Sequence, residues 1–170
     1  QALSLERHID AHVGLVEANL HLEKLVEAET AAQEAVESLS QCARAHILVA
    51  KVLIKKGIKC DEKEIQTCLS SLQKAIMLDS RNEEAVYEIV SFKLRIGDDI
   101  LPSSSRNDDI SKNNLIKMHI EESRNILESS PITESSGRLM TLLGKVYSLI
   151  TPPDYTKAIG YLNNAIILCK

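Results

Sequence analysis

The sequence predicts an all-α protein built from paired helices, and three observations lead to that prediction. Aromatic residues make up 3% of the chain, tryptophan is absent, and 44% of the residues are hydrophobic. A core of aliphatic side chains suits close-packed helices better than sheets, in which β-branched and aromatic residues are enriched. Apolar residues recur at helical intervals, and Gly or Pro residues end several of these runs. The 170 residues are enough for one domain with a substantial core.

Charge and cysteine content limit the classes of function. The formal net charge is −4, which disfavours nucleic acid as a partner because phosphate binding needs clustered Lys and Arg. No apolar run reaches the roughly 18 residues that a membrane helix needs. The chain starts without a methionine, and we expect a fragment of a longer protein. No two cysteines are closely spaced in the sequence, so we expect reduced thiols and an intracellular protein. These cysteines are Cys42, Cys60, Cys68 and Cys169.

The segment from Leu142 to Ala165 carries the most specific pattern in the chain. A Leu-Gly pair and a Tyr lie on a first predicted helix, a Pro-Pro break follows, and a second helix carries two Ala residues with a Leu between them. Small residues on both helices allow the two backbones to approach closely. The residues of this pattern are Leu143, Gly144, Tyr147, Ala158, Leu162 and Ala165. In order and spacing they resemble the tetratricopeptide repeat, a helix–turn–helix unit of about 34 residues.

This resemblance predicts a single tetratricopeptide array over residues 1–170. Residues 1–7 are expected to end a preceding repeat. Four imperfect repeats are expected to follow, at 8–40, 41–80, 81–131 and 132–170. Small residues at the matching packing positions of the earlier repeats are Ala28, Ala35, Ala50 and Ala75. The resemblance implies a right-handed α-superhelix, in which each helix pair buries its apolar face against the next pair.

Helical periodicity places the elements of the first two repeats. The predicted helices are Asp10–His21, Glu27–Leu39, Ala43–Lys56 and a longer helix that ends at Leu78. Gly57 stands where a left-handed cap is favoured. Asp61 and Glu64 form a predicted capping pair for the longer helix.

The second half of the chain contains its most irregular segment. Ser80 and Glu83 form a predicted capping pair for a helix over Glu83–Ile96. Residues 97–112 are rich in Asp and Ser, so we expect a loop inserted between two helices of one repeat. Leu115–Leu127 is the next predicted helix, and a Ser-Pro step ends it.

The resemblance implies that the functional surface is a concave groove lined by the first helix of each repeat. The groove candidates are Glu17, Arg44, Lys51, Tyr87, Arg138 and Lys145. Chaperone-binding members of the family hold a terminal carboxylate with a Lys and an Asn. Val13 and Glu17 occupy those two places here, so that clamp is absent. The basic candidates fit an acidic peptide, although a solvated charged face is the plainer interpretation.

No pattern in the sequence predicts an enzyme, and we expect neither catalytic residues, nor a metal, nor a cofactor. His8 and His12 are four residues apart, but Ile9 replaces the Glu of a zinc-protease helix and no third ligand is evident. The serine run at 103–105 lacks a Gly-x-Ser-x-Gly context. The glycines are dispersed and form no phosphate-binding cluster.

Two stretches narrow the resemblance. Glu6–Val36 and Gly137–Leu168 are similar to repeats of the subunit 7 family of the anaphase-promoting complex (cyclosome), a multi-subunit ubiquitin ligase of the cell cycle. The similarity implies a non-catalytic mitotic scaffold in the nucleus and cytoplasm. Its implied partners are other tetratricopeptide subunits or a second copy of the chain. Binding to nucleic acid or to a membrane is not expected. The alternative is an adaptor that binds a short peptide in the groove. A scaffold predicts exposed apolar patches, whereas an adaptor predicts a conspicuously charged or aromatic groove.

Overall fold

The computed structural model describes the backbone of residues 2–57, 62–96 and 109–169, and the side chains of residues 8–57, 62–96 and 113–169. Within these ranges the backbone is helical, with no β-strand, and the predicted all-α class is confirmed. The helices are α1 (Ala2–His21), α2 (Leu25–Ser38), α3 (Ala43–Lys56), α4 (Glu62–Leu78), α5 (Glu83–Arg95), α6 (Asp109–Ser129), α7 (Gly137–Leu149) and α8 (Tyr155–Leu168). A short 3-10 turn, Thr133–Ser135, precedes α7.

The chain divides into two compact units, Gln1–Ala85 and Val86–Lys170. In the first unit, α1 packs on α2, α2 on α3, and α3 on α4, while α1 also contacts α3. Residues 22–24 join α1 to α2 and residues 39–42 join α2 to α3, and such short connections place neighbouring helices antiparallel. No helix in the described part of either unit combines the length and the apolar character needed to cross a membrane.

Alanines bring the helices of the first unit close together. Helix α2 buries a stripe of them against Val16 of α1 and Leu48 of α3. The stripe consists of Ala28, Ala31, Ala32 and Ala35. Because alanine loses no side-chain entropy and adds little bulk, it favours both the helix and the close approach. A second cluster joins Ile47 of α3 to Ala75 of α4.

The predicted break near the start of the chain was wrong. Residues 1–7 were expected to end one helix before another began at Asp10, but α1 runs without interruption from Ala2 to His21. No Gly or Pro lies between Arg7 and Asp10, and Ile9 is buried within the continuous helix. Nothing local therefore terminates the helix there.

The boundaries of α3 were predicted correctly, from its apolar periodicity and from Gly57 at its end. Gly57 follows its last turn with φ 98° and ψ 159°. The positive φ was expected, but this ψ lies outside the left-handed helical region, in a region that only glycine commonly adopts. The predicted cap Asp61 lies outside the described residues.

Asn82, and not Ser80, caps α5. The Asn82 side-chain oxygen accepts a hydrogen bond from the backbone N–H of Ala85 at 3.1 Å. Asp79 organises the preceding turn, since its backbone oxygen accepts from the backbone N–H of Asn82. This turn places Asn82 directly before the first helical residue, so the predicted capping role of Ser80 was wrong.

Replacing this cap tests the corrected start of α5. Asn82→Ala will lower the free energy of unfolding by about 1 kcal/mol, because the Ala85 N–H loses its acceptor. Ser80→Ala is the matched control, and we expect a change within about 0.5 kcal/mol because Ser80 is exposed. Urea denaturation followed by circular dichroism measures both. Equal losses in the two variants would contradict the assignment of the cap.

The predicted loop at 97–112 overlaps the start of a helix. Helix α6 begins at Asp109, so the last four residues of the expected loop at 97–112 are helical. The rest of that loop, residues 97–108, lies outside the described residues. The predicted end of the helix at the Ser-Pro step is confirmed, because α6 stops at Ser129.

Helices α7 and α8 form the closest pair of the second unit. Ser136 caps α7 by accepting a hydrogen bond from Leu139 N, and Asp154 caps α8 by accepting from Lys157 N. At Gly144 an added Cβ would lie 2.7 Å from Cγ of Leu162 and 3.1 Å from the backbone oxygen of Ala158. Real Cβ atoms essentially never approach a neighbour to 2.7 Å, so this crossing requires glycine.

Candidate interaction surfaces

The groove candidates of the first unit are largely engaged within that unit. Arg44 Nη1 donates to Asp10 Oδ1 at 2.7 Å, and Lys51 Nζ lies 2.5 Å from Glu84 Oε1. Glu17 is exposed on α1. Because both basic side chains already face a carboxylate, the positive charge available to an acidic peptide is reduced here.

The candidates of the second unit differ in their surroundings. The Arg138 guanidinium carbon lies 3.3 Å from the centre of the Tyr87 ring, which is a cation–π arrangement. Lys145 is exposed on α7. Arg138 therefore contacts Tyr87, and no described contact links either residue to Lys145.

The residues predicted to pack the repeats lie at helix contacts. Those that are buried are Ala28, Ala35, Ala50, Ala75, Leu143, Gly144, Tyr147, Ala158 and Ala165. Leu162 differs, because its side chain contacts Gly144 but remains 39% exposed. Leu162 therefore belongs to two surfaces of α8, the packed one and an open one.

Helix α8 carries several exposed large apolar side chains, and we call four of them the α8 stripe. Its members are Tyr155, Ile159, Leu162 and Ile166, with exposed fractions of 63%, 60%, 39% and 61%. The spacing of four, three and four residues places them on one face of the helix. Exposed large apolar side chains that form a contiguous patch mark interaction sites, whereas single ones need no explanation.

The α8 stripe was not predicted from the sequence, although its spacing is present there. Helix α8 carries two apolar series, and only the one containing Ala158 and Ala165 was used. Those two alanines are the residues that α8 buries fully. The first unit has a weaker feature of the same kind, since Leu15 and Leu22 are exposed seven residues apart.

A partly buried ion pair links α5 to α6 in the second unit. Lys93 Nζ lies 2.5 Å from Glu122 Oε2, and the Lys93 side chain is only 5% exposed. His119 Nδ1 lies 3.6 Å from the same carboxylate oxygen. Within α6, the buried Ser123 hydroxyl donates to the His119 backbone oxygen at 2.7 Å.

Burial and charge set the protonation states of this cluster. Burial lowers the pKa of His119 below its ordinary value, and the neighbouring Lys93 charge lowers it further. The hydrogen bond from Lys93 lowers the pKa of Glu122. The geometry therefore favours a neutral imidazole beside a lysine–glutamate pair that links the two helices.

His119 makes the stability of the second unit depend on pH. Since its folded-state pKa lies below the unfolded value of about 6.5, the unfolded chain binds more protons and stability falls as pH drops below about 6.5. One such group contributes at most about 1.4 kcal/mol per pH unit. All four tyrosines lie in the second unit and tryptophan is absent, so tyrosine fluorescence follows the unfolding of this unit.

The measurement is urea denaturation between pH 7 and pH 5, followed by tyrosine fluorescence. His119→Gln should flatten the pH dependence of this transition, whatever its effect on absolute stability. His12→Gln in the first unit is the control and should leave the slope unchanged. Parallel slopes for the parent chain and His119→Gln would contradict the assignment.

The described residues hold no cluster suited to metal binding. No group of three or more His, Cys, Asp or Glu side chains within them is placed to hold a metal ion. Cys42 and Cys169 are free thiols, and the Cys68 thiol donates to the backbone oxygen of Ala50 at 3.9 Å. Cys60 lies outside the described residues.

Comparison with known proteins does not assign the chain to a family. No protein-family model matches the chain, and no curated protein matches it.

Proposed function

We propose that this chain is a non-catalytic scaffold of the tetratricopeptide type that binds a neighbouring protein through the α8 stripe. The stripe carries the proposal, because its four large apolar side chains lie on one helix face and are 39% to 63% exposed in the described structure. Leaving such a surface in water is unfavourable by roughly 25 cal/mol per Å² of apolar area, so covering it supplies the driving force for association.

The helix arrangement within each unit supports the tetratricopeptide assignment. In the first unit α1 contacts both α2 and α3, as expected when one helix pair stacks on the next. In the second unit the Leu-Gly pair of α7 lies against the Ala-spaced face of α8, through the contact of Gly144 with Leu162. We extend this assignment to a right-handed superhelix of stacked repeats.

The proposed partner is another helical-repeat subunit of an anaphase-promoting-complex ubiquitin ligase. The residue similarity of Glu6–Val36 and Gly137–Leu168 to the subunit 7 family supports this choice. The α8 stripe has the spacing of a helix ridge, which fits the groove of a partner helix. A second copy of the chain offers the same kind of surface, so homodimerisation through α8 is the other arrangement to be tested.

Charge substitutions in the α8 stripe test this function. We expect Ile159→Glu/Ile166→Glu to abolish co-purification of ubiquitin-ligase subunits from dividing cells, because the interface would have to bury two unpaired charges. Melting temperature should change by only a few degrees, since both positions are exposed. Asn125→Glu, on an exposed position of α6, is the control and should leave co-purification intact.

Two results would overturn the proposal. One is undiminished recovery of the same ligase subunits with the doubly charged variant. The other is their absence from the parent chain itself. Loss of a self-association signal alone, measured by analytical ultracentrifugation, would redirect the proposal to a homodimer.

A further inference from the structure

A cavity of about 760 Å³ lies in the second unit where α6 ends, and it is bounded by the turn after α6 and by α7 and α8. Its volume falls in the range of small-ligand sites, about 300–1,000 Å³. The lining includes Tyr161 and Asn164 of α8 but none of the residues of the α8 stripe. The cavity and the α8 stripe therefore share no residue, and a ligand in the cavity does not require the proposed scaffold function.

The charged residues in the described lining of the cavity are all acidic. Glu128 and Glu134 contribute carboxylates, and the described lining contains no Lys, Arg or His. Glu128 accepts a hydrogen bond from the Tyr147 hydroxyl, and Arg124 Nε lies 3.9 Å from it. Arg124 makes its closer pair with Glu121, at 2.7 Å, so it leaves the charge of Glu128 only partly balanced. Glu134 is exposed and forms no ion pair among the described residues.

Two hydroxyls in the lining have no partner. Ser130 Oγ and Thr133 Oγ1 are buried and make no hydrogen bond within the described part of the chain. Thr133 is 3% exposed, so its hydroxyl has little access to bulk solvent. A buried polar atom without a hydrogen bond costs roughly 1–3 kcal/mol, and a ligand N–H that reaches it removes that cost.

The remaining walls suit an aliphatic chain. Met140 and Leu143 of α7 contribute apolar surface, and both are largely buried. The ring of Tyr161 lies beside that of Tyr147, with 5.3 Å between their centres. An aromatic face beside carboxylates favours a cation, because the ring quadrupole attracts positive charge.

We propose that this cavity binds an alkylammonium or guanidinium group carried on an aliphatic stem. The stem lies against Met140 and Leu143, while the cation faces Glu134 and Glu128 and donates to the Thr133 hydroxyl. A lysine or arginine side chain of a partner protein has this chemistry, and so does a free alkylamine.

The test is an NMR titration of the isotope-labelled chain with three probes. These are acetyl-Ala-Ala-Lys-Ala-Ala-amide, the same peptide with norleucine in place of Lys, and n-butylamine. We expect the lysine peptide to shift the amide signals of Thr133 and Glu134 saturably. The norleucine peptide, which keeps the stem but lacks the charge, should bind at least about fivefold more weakly.

Matched variants locate the binding. Glu134→Gln should weaken binding of the lysine peptide by about two- to fivefold, the range expected for one partly exposed ion pair. Thr133→Val keeps the side-chain shape, removes the hydroxyl and should also weaken binding. Glu34→Gln in the first unit makes the same charge change at an exposed position and should have no effect.

Each outcome either supports or overturns the cation site, and the supporting outcomes identify the molecule that carries the cation. Tighter binding of the peptide than of n-butylamine identifies a protein side chain as the ligand. Binding of n-butylamine alone supports the same cation site and identifies a free amine as the ligand. Equal binding of the lysine and norleucine peptides, or shifts that Glu134→Gln leaves unchanged, would overturn the proposal.

Discussion

Gly144→Leu will destabilise the second unit by about 3 kcal/mol, the largest effect of any single substitution considered in this protein. Even the first added carbon would lie 2.7 Å from Leu162 Cγ and 3.1 Å from the Ala158 backbone oxygen. The Leu162 side chain can move, but the backbone of α8 can yield only by separating from α7. Because both helices bury their small residues at this contact, that separation exposes apolar surface along their length.

Gly160→Ala is the matched control for this prediction. An added Cβ at Gly160 meets nothing within 4 Å, and the residue lies inside α8. The substitution should therefore stabilise the helix by about 0.5–1 kcal/mol through the lower backbone entropy of the unfolded chain. Urea denaturation followed by tyrosine fluorescence reports on the second unit in both variants. An unchanged midpoint for Gly144→Leu would show that α7 and α8 do not pack at this residue.

Glu122→Gln will have the second largest effect, a loss of about 2 kcal/mol, because it leaves the buried Lys93 ammonium without a counter-charge. Breaking a fully buried pair costs about 3–5 kcal/mol, and the 44% exposure of the Glu122 side chain reduces that cost. Lys93→Met removes the buried charge and keeps most of the apolar stem. It should therefore cost less than about 1 kcal/mol, since Glu122 can return to water.

The double variant distinguishes this explanation from simple loss of packing. Lys93→Met/Glu122→Gln should be more stable than Glu122→Gln alone, because no unpaired charge remains in the contact between α5 and α6. The same urea titration measures all three variants. Additive losses in the double variant would contradict an ion pair between these side chains.

Local signals account for the parts of the fold that were predicted correctly. Helix α3 begins and ends where its apolar periodicity and Gly57 predicted, and α6 stops at the Ser-Pro step. The close contact at Gly144 followed from small residues at fixed spacing on two successive helices. In each case the determining residues lie within a short stretch of chain, where spacing alone specifies the geometry.

The parts that were missed depend on tertiary or turn geometry. The Asn82 cap depends on how Asp79 folds the turn, which the Ser80–Glu83 pattern does not reveal. Lys93 and Glu122 are 29 residues apart, and no sequence spacing predicts that they meet. The α8 stripe could have been predicted from the second apolar series of this helix, but only the structure shows that no described element covers it.

The most direct test of the scaffold function is site-specific photo-crosslinking from the α8 stripe in dividing cells. A benzophenone amino acid at Ile166 should form a covalent adduct with a subunit of the ubiquitin ligase. The same probe at the exposed Asn125 of α6 should form none. Adducts at Ile166 that contain a ligase subunit would establish the stripe as the docking surface. Failure of the probes at both Ile166 and Ile159 to reach any ligase subunit would contradict the proposed function.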